Sequence, residues 1–261
     1  MSLTLVSTAA NVGGLGLGPL AAGVLAQYLG APLHLPYAVF GVLLLTGVAA
    51  IALTPETVRK PAVRPSYRPQ RVGAALGERG YPGAAAAGFA SMAVFGLFAS
   101  VAPGFVSGTL HHPSHALAGL IVFTVFGAAA AAQVLTGRLR DRTRWTVGLL
   151  AQAAGMTLLA VALHVTGLPV FVLTAGAGAG VLFKSAVGLV AGTAAAARRG
   201  EALAGLFLAC YLGLALFPVG LGVASRSMTV TAATTWFTGV VLALLAAVAV
   251  LTSGHGSRTT R

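Results

Sequence analysis

The chain has 261 residues, of which 57% are hydrophobic and only 8% charged, and its mean hydropathy is +0.91. A soluble domain carries about a quarter charged residues, so this sequence cannot cover a globule with polar surface, and a water-soluble fold is excluded. The net charge of +12 would point to nucleic acid in a soluble protein, but no aromatic residues interleave with the basic ones, and no nucleic-acid partner is expected.

A helix needs roughly 20 apolar residues to cross the hydrocarbon core. Eight stretches qualify, and they predict spans over residues 3–28, 36–53, 88–106, 116–136, 145–165, 169–195, 202–223 and 235–251. The fold class is therefore all-α, a polytopic membrane protein whose first partner is the lipid bilayer. The runs are too long and continuous for barrel strands, and their many Ala and Gly residues suit close helix packing.

The first span follows Met1 without a basic segment, so it does not read as a cleaved signal peptide. It carries Gly13, Gly14, Gly16, Gly18, Pro19, Ala22 and Gly23. Gly14 and Gly18 are four apart and share a face that another helix can approach, and Pro19 removes a backbone hydrogen bond and loosens the span. The second span ends in Thr54-Pro55-Glu56-Thr57. Residues 54–86 are rich in Pro and Arg and read as a cytoplasmic linker, open to protease over 61–80. This divides the chain into a two-helix unit (1–53), the linker (54–86) and a six-helix bundle (87–261).

Beyond the linker, His111, His112 and His115 fall in one loop. Pro113 interrupts the helical spacing that a shared metal would need, so a wet loop without metal is expected. The fourth-to-fifth connection reads Gly137-Arg138-Leu139-Arg140-Asp141-Arg142-Thr143-Arg144. Lys184 is the one charge within a predicted span. Gly176, Gly180, Gly188 and Gly192 lie at four-residue spacing from it, a stripe that suits a lysine facing an aqueous cavity, although its stem could also snorkel to the interface. The single cysteine, Cys210, allows no internal disulfide. No nucleophile–base pair, carboxylate pair or phosphate-cradling loop is present, so neither catalysis nor a cofactor is expected.

Fourteen of the sixteen basic residues fall in alternate connections: the linker, the fourth-to-fifth turn, Arg198–Arg199 and the C-terminal tail. This is the positive-inside bias, and it predicts that both termini are cytoplasmic. Labelling from outside of a cysteine placed at Ser66 would contradict it.

Three motifs then carry a resemblance. Gly14-x-x-x-Gly18-Pro19-x-x-Ala22-Gly23 resembles the G-x-x-x-G-P-x-x-G-G motif in the fifth helix of major facilitator superfamily drug:proton antiporters, with Ala22 in place of one glycine. Pro55-Glu56-Thr57 resembles the Pro-Glu-Thr that often closes the sixth helix of that superfamily. The 137–144 connection is similar to its G-x-L-x-D-R-x-G-R loop, with Arg144 where the pattern has glycine.

The resemblance covers the chain as helices five to twelve of a twelve-helix carrier, a partial major facilitator fold with the first four helices absent. It implies a secondary transporter of the plasma membrane, exporting small organic molecules in exchange for protons by alternating access. It places Gly14 and Gly18 against the fourth span near Gly127–Ala132, and makes Gly137, Asp141 and Arg142 a cytoplasmic latch, with Asp141 near Ser2–Leu5. Lys184 becomes the substrate-pathway candidate. The alternative is a truncated, non-transporting fragment or a structural membrane protein that keeps the fold.

Overall fold

Hydrocarbon offers no partner to a backbone amide, so each long apolar stretch satisfies its own N–H and C=O groups as a helix. The computed structural model describes residues 3–56, 77, 80–104, 106–107, 114–162 and 170–253. Among them it has eight α-helices and no strand: α1 (Leu3–Tyr28), α2 (Leu35–Leu53), α3 (Tyr81–Gly104), α4 (His115–Leu135), α5 (Asp141–Ala162), α6 (Val170–Thr193), α7 (Arg199–Ala224) and α8 (Val230–Ser253). Hydroxyls inside the helices turn back onto their own ladder. Ser91, Ser185 and Thr238 each donate to the carbonyl four residues earlier at 2.8 Å, which removes a polar group from the apolar interior.

Seven of these helices, α2 through α8, are long and apolar enough to cross a membrane. The chain is thus a multi-pass all-α membrane protein. The sequence reading counts eight spans; α1 has the predicted bounds and 26 residues, but it is not among the seven, and the side chains of its first ten residues lie outside the described ones.

Three helix starts differ by more than three residues from the sequence reading. α8 begins at Val230 rather than at 235, where the Thr229 hydroxyl accepts the Ala232 N–H. α3 begins at Tyr81 rather than at residue 88, which shortens the linker at its C-terminal end. Gly80 takes a positive φ of 85° into the turn, a conformation that disfavours any side chain, and Pro82 sits in the first helical turn, where its missing N–H has no intrahelical role. α5 begins at Asp141 rather than at 145, so part of the expected loop motif is helical. A carboxylate in the first turn favours that start. Residues 57–76 and 78–79, with the expected protease site and Ser66, lie outside the described residues, as do His111 and His112.

The close contacts fix the direction of each helix. Gly148, Gly155 and Gly178 bring α5 against α6 antiparallel, with Gly148 at Leu182, Gln152 at Gly178 and Gly155 at Ala175. Gly176 meets Val125 and Gly180 meets Ala129, so α4 and α6 run parallel. Gly88 meets Cys210 and Gly96 meets Leu214 and Pro218, so α3 and α7 also run parallel. α3 and α6 are the central helices, with 67% and 61% of their spans buried. The core between them and their neighbours includes Phe95 stacked on Phe126 at 4.4 Å, with Leu97, Met156, Leu182 and Leu206 fully enclosed. α1 lies along α4 on the outside of this bundle, and α2 packs chiefly on α1, with only 6% of its span buried.

Candidate functional site

The α1–α4 seam is built from small residues, as the sequence leads one to expect, but from only part of the expected motif: Pro19 and Gly23 take part, and Gly14 and Gly18 do not. Gly14 and Gly18 have nothing within 4 Å of a virtual Cβ. The contact rotates to the adjacent face. Gly16 meets Phe126, Gly23 meets the His115 backbone, and Gly119 of α4 meets Pro19 and Leu20. Gly16 and Gly23 are seven apart, two turns on one face, whereas Gly14 and Gly18 look away from α4. The partner region also shifts toward the N-terminal half of α4, and Gly127 meets nothing. At the far end, the Gln27 side-chain oxygen accepts the His115 N–H at 2.8 Å, beside the Ser114 hydroxyl that accepts from Leu117 N–H. Two acceptors from two elements thus satisfy the start of α4. A small cavity of about 280 Å³ opens on this seam, bordered by Pro19, Gly23, Ala99, Pro103, His115 and Gly119.

The arginine-bearing connections gather at the other end of the bundle. Asp141 pairs with Arg144 one turn later on α5. Asp141 is otherwise exposed, and this pairing is what the structure assigns to it; Ser2 and the side chains of Leu3–Leu5, where a latch contact is expected, lie outside the described residues. Gly137 ends the turn after α4, and Arg142 is exposed on α5.

Lys184 is half-buried and has a partner on the protein. Its ammonium donates to the Gln133 carbonyl at 2.7 Å and lies over Gly137. That carbonyl is among the last of α4, which have no intrahelical donor, and a cation there also meets the negative end of the helix dipole. The glycine stripe beside it is open only in part. Gly176 and Gly180 are filled by the α4 backbone, and only Gly188 and Gly192 look into open space. Lys184→Met should therefore lower the stability of the detergent-solubilised protein by about 1.5–3 kcal/mol, the range for a hydrogen bond to a charged group. Lys184→Arg should recover part of it. Equal thermal unfolding of wild type and Met variant would contradict the capping role.

Two buried amides escape the sequence reading. Gln152 is fully buried and donates to the Ala90 carbonyl at 2.9 Å, tying α5 to α3, while its own oxygen has no partner. Gln133 is 3% exposed, and neither its side-chain nitrogen nor its oxygen has a partner among the described residues. An uncharged amide inside an otherwise apolar span is the available signal. No group of three or more metal-ligating side chains occurs among the described residues. The class that fold and site define is a polytopic all-α membrane protein with a glycine-lined helix seam at one end and an arginine-rich face at the other. No protein-family model, curated protein or solved structure matches the chain.

Proposed function

We propose that the chain is a secondary active transporter of the major facilitator type, exporting small organic molecules in exchange for protons from the plasma membrane, with α1 as an eighth span and both termini cytoplasmic. The observation that carries this reading is the α1–α4 seam. α1 lies against the six-helix bundle through glycines and a proline rather than through interdigitated large side chains, and a small cavity opens there. A close seam of small residues between two helix groups is where rocking of one group against the other would take place. The buried amides of Gln133 and Gln152 add polar groups to the bundle interior without adding charge. Gly137, Asp141 and Arg142 remain the proposed latch at the arginine-rich end. Lys184 is assigned to capping α4 rather than to substrate.

Cells lacking their own multidrug exporters, expressing the chain with any coding sequence continuous with it in frame upstream of Met1, should retain less of a fluorescent cationic dye. A protonophore should abolish the difference. Unchanged dye retention with the protein correctly inserted would refute transport of that class. It would favour the second reading, a membrane protein that keeps this fold without a substrate pathway. The exposure of α2, which packs chiefly on α1, is the observation on that side.

A further inference from the structure

A cleft of about 960 Å³ opens between α5, α6 and α8 at the arginine-rich end. It is bordered at the helix ends by Asp141, Arg142, Thr193 and Thr252, and deeper by Leu149, Leu150, Ser185 and Ala249. From Thr193 to Ser185 along α6 is eight residues, about 12 Å of depth at the rise of a helix. The lining is graded: cationic and polar at the membrane surface, apolar within.

Two features mark the charged rim. The Arg144 side chain is only 14% exposed and shares its charge with one exposed carboxylate, and its Nε has no partner among the described residues. The neighbouring Trp145 indole N–H is also without a partner. Both residues line the cleft. On the opposite wall, α6 contributes Ser185, Leu189 and Thr193 together with two glycines that leave space. Gly188 has only the Arg144 guanidinium near it, at 4.0 Å from a virtual Cβ, and Gly192 has nothing within 4 Å. Cationic clefts between membrane helices recognise anionic headgroups, and each arginine near such a surface contributes about 1 kcal/mol.

We propose that this cleft binds an anionic phospholipid, its phosphate held at the rim by Arg142, Arg144 and the Trp145 indole, its acyl chains running inward past Gly188 over Leu149, Leu150 and Ala249 between α5, α6 and α8. The inference rests on the membrane-protein class and not on transport. Charge selects the headgroup, and the apolar lining of Leu149, Leu150 and Ala249 with the space at Gly188 selects a chain-bearing ligand over a free anion. Asp141 competes with the phosphate for Arg144, so the site is tuned by the ion pair at its mouth.

The test is native mass spectrometry of the protein released from nanodiscs containing equal phosphatidylglycerol and phosphatidylcholine. The wild type should keep phosphatidylglycerol in preference. Arg142→Gln and Arg144→Gln should each reduce that preference about five-fold, the loss expected of one arginine. Asp141→Asn should raise it. Gly188→Leu keeps every charge, and the open space there lets the protein fold with unchanged thermal stability, yet it should expel the lipid. Equal retention of the two lipids, or full retention by Gly188→Leu, would overturn the proposal. So would displacement of the lipid by inorganic phosphate alone at millimolar concentration, which would identify a free-anion site instead.

Discussion

Leucine at Gly178 should prevent α5 from seating on α6, and the solubilised protein should lose its monodisperse, cooperatively unfolding form. A Cβ at this position would fall against the Gln152 backbone, 2.5 Å from its Cα and 2.6 Å from the Ala151 carbonyl carbon. Both obstacles are main chain and cannot rotate away. Insertion of extra methylenes among side chains costs about 1–3 kcal/mol; against backbone the helices must separate, and the cost exceeds that range. The same contact repeats one turn on, where Gly155 lies on Ala175, so the pair cannot slide to relieve it. Separation would also pull Gln152 from the Ala90 carbonyl on α3 and leave an amide unsatisfied in an apolar interior. Even Gly178→Ala should lower the unfolding temperature clearly. Gly192→Leu, on the same helix but in open space, is the control and should unfold like the wild type. Equal thermal scans for Gly178→Leu and Gly192→Leu would show that α5 and α6 are not in backbone contact at this point.

The contrast between Gly178 and Gly192 also shows what can be read from the sequence. Element type and the number of helices follow from hydropathy and length alone, because a bilayer admits few alternatives. α1 matches its predicted limits, and α2, α4, α6 and α7 come within three residues. The starts of α3, α5 and α8 do not: α8 begins five residues early at Val230, and for α3 and α5 Pro82 and the arginines of the 138–144 stretch read as loop. A proline is tolerated in a first turn, and Asp141 favours a helix start, so both helices begin earlier. The glycines are the harder part. Their spacing identifies faces but does not say which face meets a neighbour, since a glycine offers space whether the space is filled or not. Spacing alone groups Gly176 and Gly180 with Gly188 and Gly192 as one open stripe, yet the first two are filled by α4. The partner of Lys184 is hidden from the sequence for a related reason. It is a main-chain carbonyl of Gln133, and no residue pattern announces a backbone acceptor fifty-one positions away.

The second large effect is expected at Gly119, and it bears on the proposed function directly. A Cβ there would lie 2.5 Å from the Pro19 carbonyl oxygen and 3.1 Å from the Leu20 Cα. Leucine should therefore push α1 off α4 while leaving the six-helix bundle assembled, because Gly119 lies on the seam and the core around Phe95, Met156 and Leu182 does not depend on α1. The substitution Ala118→Cys, at a position that is 8% exposed and borders the seam cavity, reports the separation. In an otherwise wild-type background the introduced thiol should resist a small thiol reagent; with Gly119→Leu it should react. The native Cys210, 1% exposed beside Gly88, is the internal reference and should stay protected in both. Reaction at both thiols would mean that the bundle itself has opened, and reaction at neither would mean that α1 accommodates the leucine. Gly18→Leu separates this account from the motif reading. Gly18 has nothing within 4 Å, so leucine there should leave the thiol introduced at Ala118 protected and the fold unchanged. If dye export is observed and Gly18→Leu abolishes it, the proposed transport would need Gly18 for a contact formed in a second conformation. If export also survives, the Gly14–Gly18 face has no part in transport, and the seam is carried by Gly16, Gly23 and Gly119.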